Sequence, residues 1–319
     1  MDILLTGSVA YDYLMTFPGL FKDQILPERL ASISLSFLVD SMSKQRGGIA
    51  PNIAYSMALL GARPRVMATV GEDFTEYRTW LEANGVDTSL MQTIPGLFTA
   101  SFFATTDQAN AQIASFYPGA MGKAAVQSLK DLPNCPELVV VSPNEPGAMT
   151  KFTAECRELG IKYLYDPSQQ VLRLDGQELA RDLEGAHFLF CNDYEYGLIS
   201  KKTGWEREQI LKHVKVLVVT RGREGASLYT NGDEYFIPTV PEKEVVDPTG
   251  VGDAFRGGFL VGYSQGWDWV LCGEIGSLAA VYCLEQRGPQ SHHYTRTEFV
   301  ERFRKHFDDG GRLDSLLKD

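Results

Sequence analysis

The run Asp247-Pro248-Thr249-Gly250-Val251-Gly252-Asp253-Ala254-Phe255 holds the densest chemistry in this 319-residue chain. Its Gly-x-Gly turn leads straight into an apolar, helical segment. Free backbone N–H groups and the positive end of the helix dipole therefore face outward together, which suits phosphate oxygens. Gly250 and Gly252 let the main chain approach such an anion closely. Asp253 falls in the first helical turn, beside that anion hole. A carboxylate there can take the proton of a hydroxyl that attacks a phosphoryl group. Read alone, the same aspartate is equally an ordinary helix-start acid. Rival phosphate motifs are missing: Gly122-Lys123 has no glycine five positions before Gly122 and is followed by Ala124. Phe255 stands where the third glycine of a dinucleotide fingerprint belongs. Neither a P-loop nor a Rossmann dehydrogenase is supported.

The elements that must hold these groups follow from the hydropathy pattern. Ile3–Val9 predicts a buried first strand, Pro51–Leu60 a helix stopped by Gly61, Arg65–Val70 a strand and Phe74–Ala83 a helix. Strand-like runs recur at Leu138–Ser142, Lys162–Tyr165, His187–Phe190 and Val214–Thr220, with helical sequence between them. Val251–Tyr263 and Trp269–Leu284 are apolar, helical and rich in Ala and Gly. This alternation predicts an α/β fold with a mostly parallel sheet covered on both faces. Ser32–Val39, Thr99–Thr105 and Gln112–Tyr117 instead alternate apolar and polar residues, which predicts strands with one wet face. We read them as a small β-sheet lid over the C-terminal ends of the parallel strands; an edge extension of the main sheet is the alternative.

Composition narrows the function classes. With 44% hydrophobic and 22% charged residues and no low-complexity block, the chain can bury one large core. Thirty basic against 41 acidic residues give a formal charge of −11, which repels nucleic acid backbones and anionic lipid. Neither nucleic acid nor membrane is an expected partner. The five cysteines (Cys135, Cys156, Cys191, Cys272, Cys283) are scattered without metal spacing and fit a reducing compartment. The N-terminus lacks a basic leader and no stretch of about 18 apolar residues occurs, so the expectation is cytoplasmic. Among the histidines none shows metal-ligand spacing, and His292-His293 is expected in a solvated turn.

A second glycine-led stretch, Gly47-Gly48-Ile49-Ala50-Pro51-Asn52-Ile53-Ala54, is followed by Gly61 and Gly71. Together with Asp247–Asp253 it resembles the two signatures of the ribokinase-like PfkB carbohydrate and nucleoside kinases. The second departs at Val251, where a small residue is usual; the anion hole needs only that residue's backbone N–H. Gly7-Ser8 with Asp12, Asn192-Asp193-Tyr194-Glu195, and Thr220-Arg221-Gly222 with Gly225 resemble three further family elements, in order over nearly the whole length.

The resemblance implies a single ribokinase-like domain over residues 1–319, a three-layer α/β/α unit whose lid comes from inserts near 13–45 and 94–119. It implies ATP and magnesium as cofactors, with the γ-phosphate at the amides of Gly250, Val251 and Gly252. Asn192 and Glu195 would orient a hydrated magnesium ion, and Thr220, Gly222 and Gly225 would contact the nucleotide. Outside the family context, Asn192 and Glu195 are a helix cap and a surface acid. Asp253 would be the base. Asp12 and Asn52 would hold vicinal hydroxyls of a small-molecule substrate, with Gly47 and Gly48 admitting the backbone beside it. Asp247 and Thr249 match positions that ligate a monovalent cation, such as potassium, in some members.

Phe37, Phe102, Phe116 and Tyr117 supply lid aromatics suited to a nucleobase. Gln112–Met121 and Asp253-Ala254-Phe255-Arg256 resemble the adenosine-kinase-like branch. The acceptor expected is the 5′-hydroxyl of adenosine or another purine nucleoside; ribose, fructose and 2-keto-3-deoxygluconate stay open. A nucleotide-sensing protein without turnover is the alternative from another class. A homodimer through the lid is allowed.

Overall fold

The computed structural model describes residues 1–27, 32 and 34–318. Parallel strands β1 (Ile3–Thr6), β4 (Arg65–Val70), β5 (Met91–Thr93), β8 (Leu138–Val141), β9 (Lys162–Tyr165), β10 (Phe188–Asn192) and β11 (Val216–Thr220) build the main sheet. The antiparallel strands β12 (Ala226–Tyr229) and β13 (Glu234–Ile237) extend it, giving the order β13-β12-β11-β10-β9-β8-β1-β4-β5. The central strands are unbroken apolar runs because both faces are covered. Ile3, Leu5, Val140, Phe188, Phe190 and Val218 face one helical layer; Leu4, Val139, Val141, Leu189 and Val219 face the other. The first layer holds α1 (Ile49–Leu59), α2 (Thr75–Ala83), α7 (Val251–Ser264), α8 (Trp269–Leu284) and α9 (Arg296–Phe303). The second holds α3 (Pro146–Leu159), α4 (Gly176–Leu183), α5 (Asp193–Thr203) and α6 (Arg207–His213). Among the described residues no helix is long and apolar enough to cross a membrane.

Helix α7 is wedged between its neighbours by small residues. A Cβ on Gly257 would lie 2.7 Å from the Ser56 Cβ of α1, and one on Gly258 2.7 Å from the Ile275 carbonyl of α8. Such contact leaves α7 little room to shift, which fixes the residues at its start.

A second sheet has the order β3-β2-β6-β7, from β2 (Ala10–Thr16), β3 (Ser41–Gly47), β6 (Ala100–Thr106) and β7 (Gln112–Tyr117). Its second strand by sequence, β3, corrects the expectation for Ser32–Val39. Residues 34–39 are outside any strand, Ile33 lies outside the described residues, and Ser41–Gly47 pairs with β2 instead. Phe37 packs against Phe17 and Phe21, with ring centroids 5.1 and 5.0 Å away. Its apolar neighbours there outweigh the alternation, while the polar run Ser41-Met42-Ser43-Lys44-Gln45 is held by its backbone ladder.

Candidate active site

Strands β1, β9, β10 and β11 end at Thr6, Tyr165, Asn192 and Thr220, and the candidate residues collect just beyond these carboxyl ends. Gly250 precedes α7 in the left-handed region (φ 78°), and a Cβ there would come within 2.3 Å of the Pro289 Cβ. Only glycine satisfies both constraints. Val251 and Gly252, at the start of α7, line the cleft, with Asp253 in the same turn.

Asp253 is partly buried, and its Oδ2 accepts a hydrogen bond from Asn52 Nδ2 at 2.8 Å. Burial pushes its carboxyl up to about 6; Arg256 and Asn52 pull it down, and Glu195 adds to the rise. One turn on, Arg256 donates from Nη1 to the Gly252 carbonyl at 2.9 Å and from Nη2 to Asp166 Oδ1 at 2.9 Å. Its Nε stands 2.7 Å from Asp166 Oδ2, so this ion pair, 6% and 0% exposed, ties the anion hole to the end of β9. Burial pushes Asp166 up to about 7 against the pull of Arg256.

Asn52 lies in the first turn of α1, 5% exposed. Its Nδ2 serves Asp253 and its Oδ1 accepts from Gln290 Nε2 at 2.7 Å, so both ends of the amide are engaged within the protein. Asp12 is not at the end of β1 but third in β2, on the second sheet. Its register partners are Gln45 on β3 and Phe102 on β6, and Phe102 pairs with Phe116 on β7. Lateral partners share a sheet face, so Gln45, Asp12, Phe102 and Phe116 form one row. Tyr117 pairs with Ser101, one residue out of step, and so takes the opposite face from Phe116.

A Cβ on Gly47 would lie 2.7 Å from Asp12 Oδ2, and Gly48 (φ 97°) packs against the Ser8 carbonyl; this pair lets β3 pass the carboxylate. Burial, then Asp247, pushes Asp12 up to about 6. Asp247 itself accepts from the amides of Thr249 and Gly288, both at 2.9 Å, and so closes the turn before α7.

Asn192 and Glu195 form a reciprocal capping box on α5, with bonds of 2.8 and 2.9 Å. Glu195 nonetheless bears electrostatically on Asp253 and Asp166, so it is both a cap and a charge beside the anion hole. Alongside lies a cavity of about 660 Å³ lined by Asn192, Thr220, Gly222, Gly225, Val251 and Gly252. Phe255 of α7 also lines it, together with Ile237, Val240, Ala280, Val281 and Leu284, which sequence did not single out. The apolar spacing of Ala280, Val281 and Leu284 on α8 reads as ordinary core. His292 also departs from expectation: it is 0% exposed, its carbonyl accepts from Tyr55 OH at 2.7 Å, and burial pushes its imidazole down to about 4.

The sequence matches the model of the pfkB family carbohydrate kinases over residues 6–296. It is 31% identical over 312 residues to a nucleoside kinase of Methanocaldococcus jannaschii, across 95% of this chain and 97% of that one. The structure of Burkholderia thailandensis nucleoside kinase in complex with inosine aligns with a TM-score of 0.85 at 38% identity, covering 96% of this chain and 98% of that one. The same kinase in complex with ADP-inosine aligns at 0.83 and 38% identity, covering 96% of each chain. The mostly parallel sheet between two helical layers and the second small sheet are thus those of a ribokinase-type kinase, and the chain belongs to the pfkB family of carbohydrate kinases.

Proposed function

We propose that this kinase transfers the γ-phosphoryl group of ATP to the 5′-hydroxyl of a purine nucleoside, adenosine or inosine. The row Asp12, Phe102, Phe116 carries the reading: a carboxylate that can accept two sugar hydroxyls, flanked on the same sheet face by rings that can cover a base. The likeness to a kinase in complex with inosine supports it. The cleft beside α7 and the glycine turn at Gly250–Gly252 fit a nucleoside triphosphate. When bound, ATP supplies the phosphoryl group, and the amides of Gly250, Val251 and Gly252 hold its charge. Asp253 accepts the proton of the attacking hydroxyl, while Arg256 and Asn52 favour its ionised form. Among the described residues no group of three or more acidic, His or Cys side chains could hold a metal ion. Magnesium would therefore rely on phosphate and water, with Glu195 orienting it through water.

The test is ADP formation with magnesium and ATP over adenosine, inosine, guanosine, cytidine, ribose, fructose and 2-keto-3-deoxygluconate. Turnover on purine nucleosides with the free sugars silent is expected. Turnover on a free sugar alone would keep the base and anion hole but refute the nucleoside assignment.

The two raised carboxylates give a second expectation. Both Asp253 and Asp12 act ionised and both titrate near 6, so activity is lost as the pH falls through that value. Below it, log(kcat/KM) for the acceptor should rise with a slope approaching two, since two protons must leave the free enzyme. Asp12→Asn should weaken acceptor binding and return the slope to one. A slope of one in the unsubstituted enzyme would remove Asp12 from the titrating pair.

A further inference from the structure

Three side chains link the candidate base to a backbone carbonyl at the edge of the second sheet. Tyr77 OH donates to the Gly47 carbonyl at 3.0 Å, and Gln290 Nε2 donates to the Tyr77 oxygen. Gln290 Nε2 also donates to Asn52 Oδ1 at 2.7 Å, and Asn52 Nδ2 donates to Asp253 Oδ2 at 2.8 Å. Tyr77, Gln290 and Asn52 are 0%, 7% and 5% exposed, so water does not compete freely for these groups. A carbonyl can only accept, and that fact fixes every later link. Tyr77 must donate to Gly47, so its oxygen is left to accept. Gln290 must then turn its NH₂ toward Tyr77, which puts the same NH₂ against Asn52 and obliges Asn52 to accept there with Oδ1.

We infer that Tyr77 and Gln290 are positioning residues that carry the fixed polarity of the Gly47 carbonyl to Asn52, so that Asn52 presents an N–H to Asp253 instead of a carbonyl oxygen. This rests on the reading of Asp253 as the base. The opposite polarity has a defined form. Tyr77 would donate to Gln290 Oε1, Asn52 Nδ2 would donate to the same oxygen, and Asn52 Oδ1 would face Asp253. Only a protonated, inactive Asp253 is compatible with that arrangement, and it leaves the Gly47 carbonyl without its partner. The observed polarity leaves a different atom unpaired: Gln290 Oε1 is buried with no hydrogen-bond partner. An orphaned acceptor is costly, and it is the one the alternative arrangement would satisfy. Turning Gln290 over would pair Oε1 but would put its two N–H donors in that vacant position and strip the Gly47 carbonyl of Tyr77, so the polarity set by Gly47 is the better paired of the two. The loop that carries Gln290 is pinned by His292, whose carbonyl accepts from Tyr55 OH.

Asp253 is also faced by Arg256 on its own helix, Glu195 on α5, Asp166 after β9 and Cys283 on α8. None of these is in the relay, so its contribution can be separated from theirs. Gln290→Met removes both amide ends at nearly constant volume and without charge. Gln290→Glu replaces the donor with an acceptor and should draw Asn52 Nδ2 away from Asp253. Relative to the unsubstituted enzyme, kcat should fall roughly tenfold in the Met variant and roughly a hundredfold in the Glu variant. The acidic limb of kcat should move up in the same order, by about one pH unit or more for Glu, with KM for ATP within about twofold. Tyr77→Phe, which frees the fixed end, should shift the limb in the same direction by less.

A kcat loss with an unmoved acidic limb in all three variants would overturn the inference and leave these residues a packing role. Unchanged kcat in Gln290→Glu would overturn it as well. The parallel Asp253→Asn variant separates the two levels. If it retains turnover, the base assignment fails; if it is inactive while the Gln290 variants are normal, only the relay fails.

Discussion

Replacing Asp253 with asparagine should lower kcat by about 10³-fold while leaving ATP affinity within about twofold, because the side chain removed is a proton acceptor and not a phosphate ligand. The same variant should be more stable than the natural protein at neutral pH. Burial raises the Asp253 carboxyl from 3.8 to about 6, so the folded state binds a proton more tightly than the unfolded one. Native stability from this group is therefore full below 3.8 and is lost as the pH rises through 6. At pH 7 the ionised carboxylate costs the fold about 3 kcal/mol, which a neutral asparagine recovers. Titration calorimetry with ATP, single-turnover kinetics, and denaturant melts at pH 7.5 and pH 5 check the three parts. The stability difference should narrow at the lower pH. Near-normal turnover would eliminate Asp253 as the base, and an equal or lower stability at pH 7.5 would show that its burial is compensated elsewhere.

Arg256→Met should destabilise the protein by about 3–5 kcal/mol, since it strips the guanidinium from a carboxylate that is 0% exposed. An uncompensated buried charge dominates the loss. The double variant Arg256→Met with Asp166→Leu should therefore recover most of the stability. Activity should not recover with it. Arg256 also bonds the Gly252 carbonyl and holds the Asp253 carboxyl down, so kcat should stay depressed and its acidic limb should move upward in both variants. Stability and kcat rising together in the double variant would mean that Arg256 serves only to balance Asp166.

Local chemistry was legible in the sequence where neighbours in the chain are neighbours in space. The apolar runs at Leu138–Val141 and Lys162–Tyr165 became central strands, and the Gly250–Gly252 turn became the start of α7. The glycine pair before Asn52 likewise lies at a close backbone approach. What sequence could not supply was partners far apart in the chain. The bonds Asn52–Asp253, Asn52–Gln290 and Tyr77–Gln290 span 201, 238 and 213 positions, and no spacing rule reaches across them. Sequence offers Asn52 to the hydroxyls of a substrate and gives no sign of these two partners within the protein. The lid strand at Ser41–Gly47 was missed for another reason: its side chains are mostly polar and exposed, so its pairing with β2 left no hydropathy signal. On α8 the reverse happened, since residues lining a cleft and residues lining a core have the same apolar pattern.

On the proposed assignment, the residues for transfer and the residues that face the acceptor belong to different parts of the fold. Asp253 and the glycine turn sit at the start of α7, whereas Phe102 and Phe116 belong to the second sheet, where Ala10, Ala100 and Met121 form a small hydrophobic cluster of their own. Phe116 is 48% exposed, so exchanging it costs the fold little, on the order of 0.5 kcal/mol. On that assignment, variation there is close to neutral for folding and silent for the transfer machinery, yet it would be read directly by the molecule accepted. A lineage with this architecture can drift among acceptors one lid substitution at a time, while selection on the catalytic turn stays undisturbed.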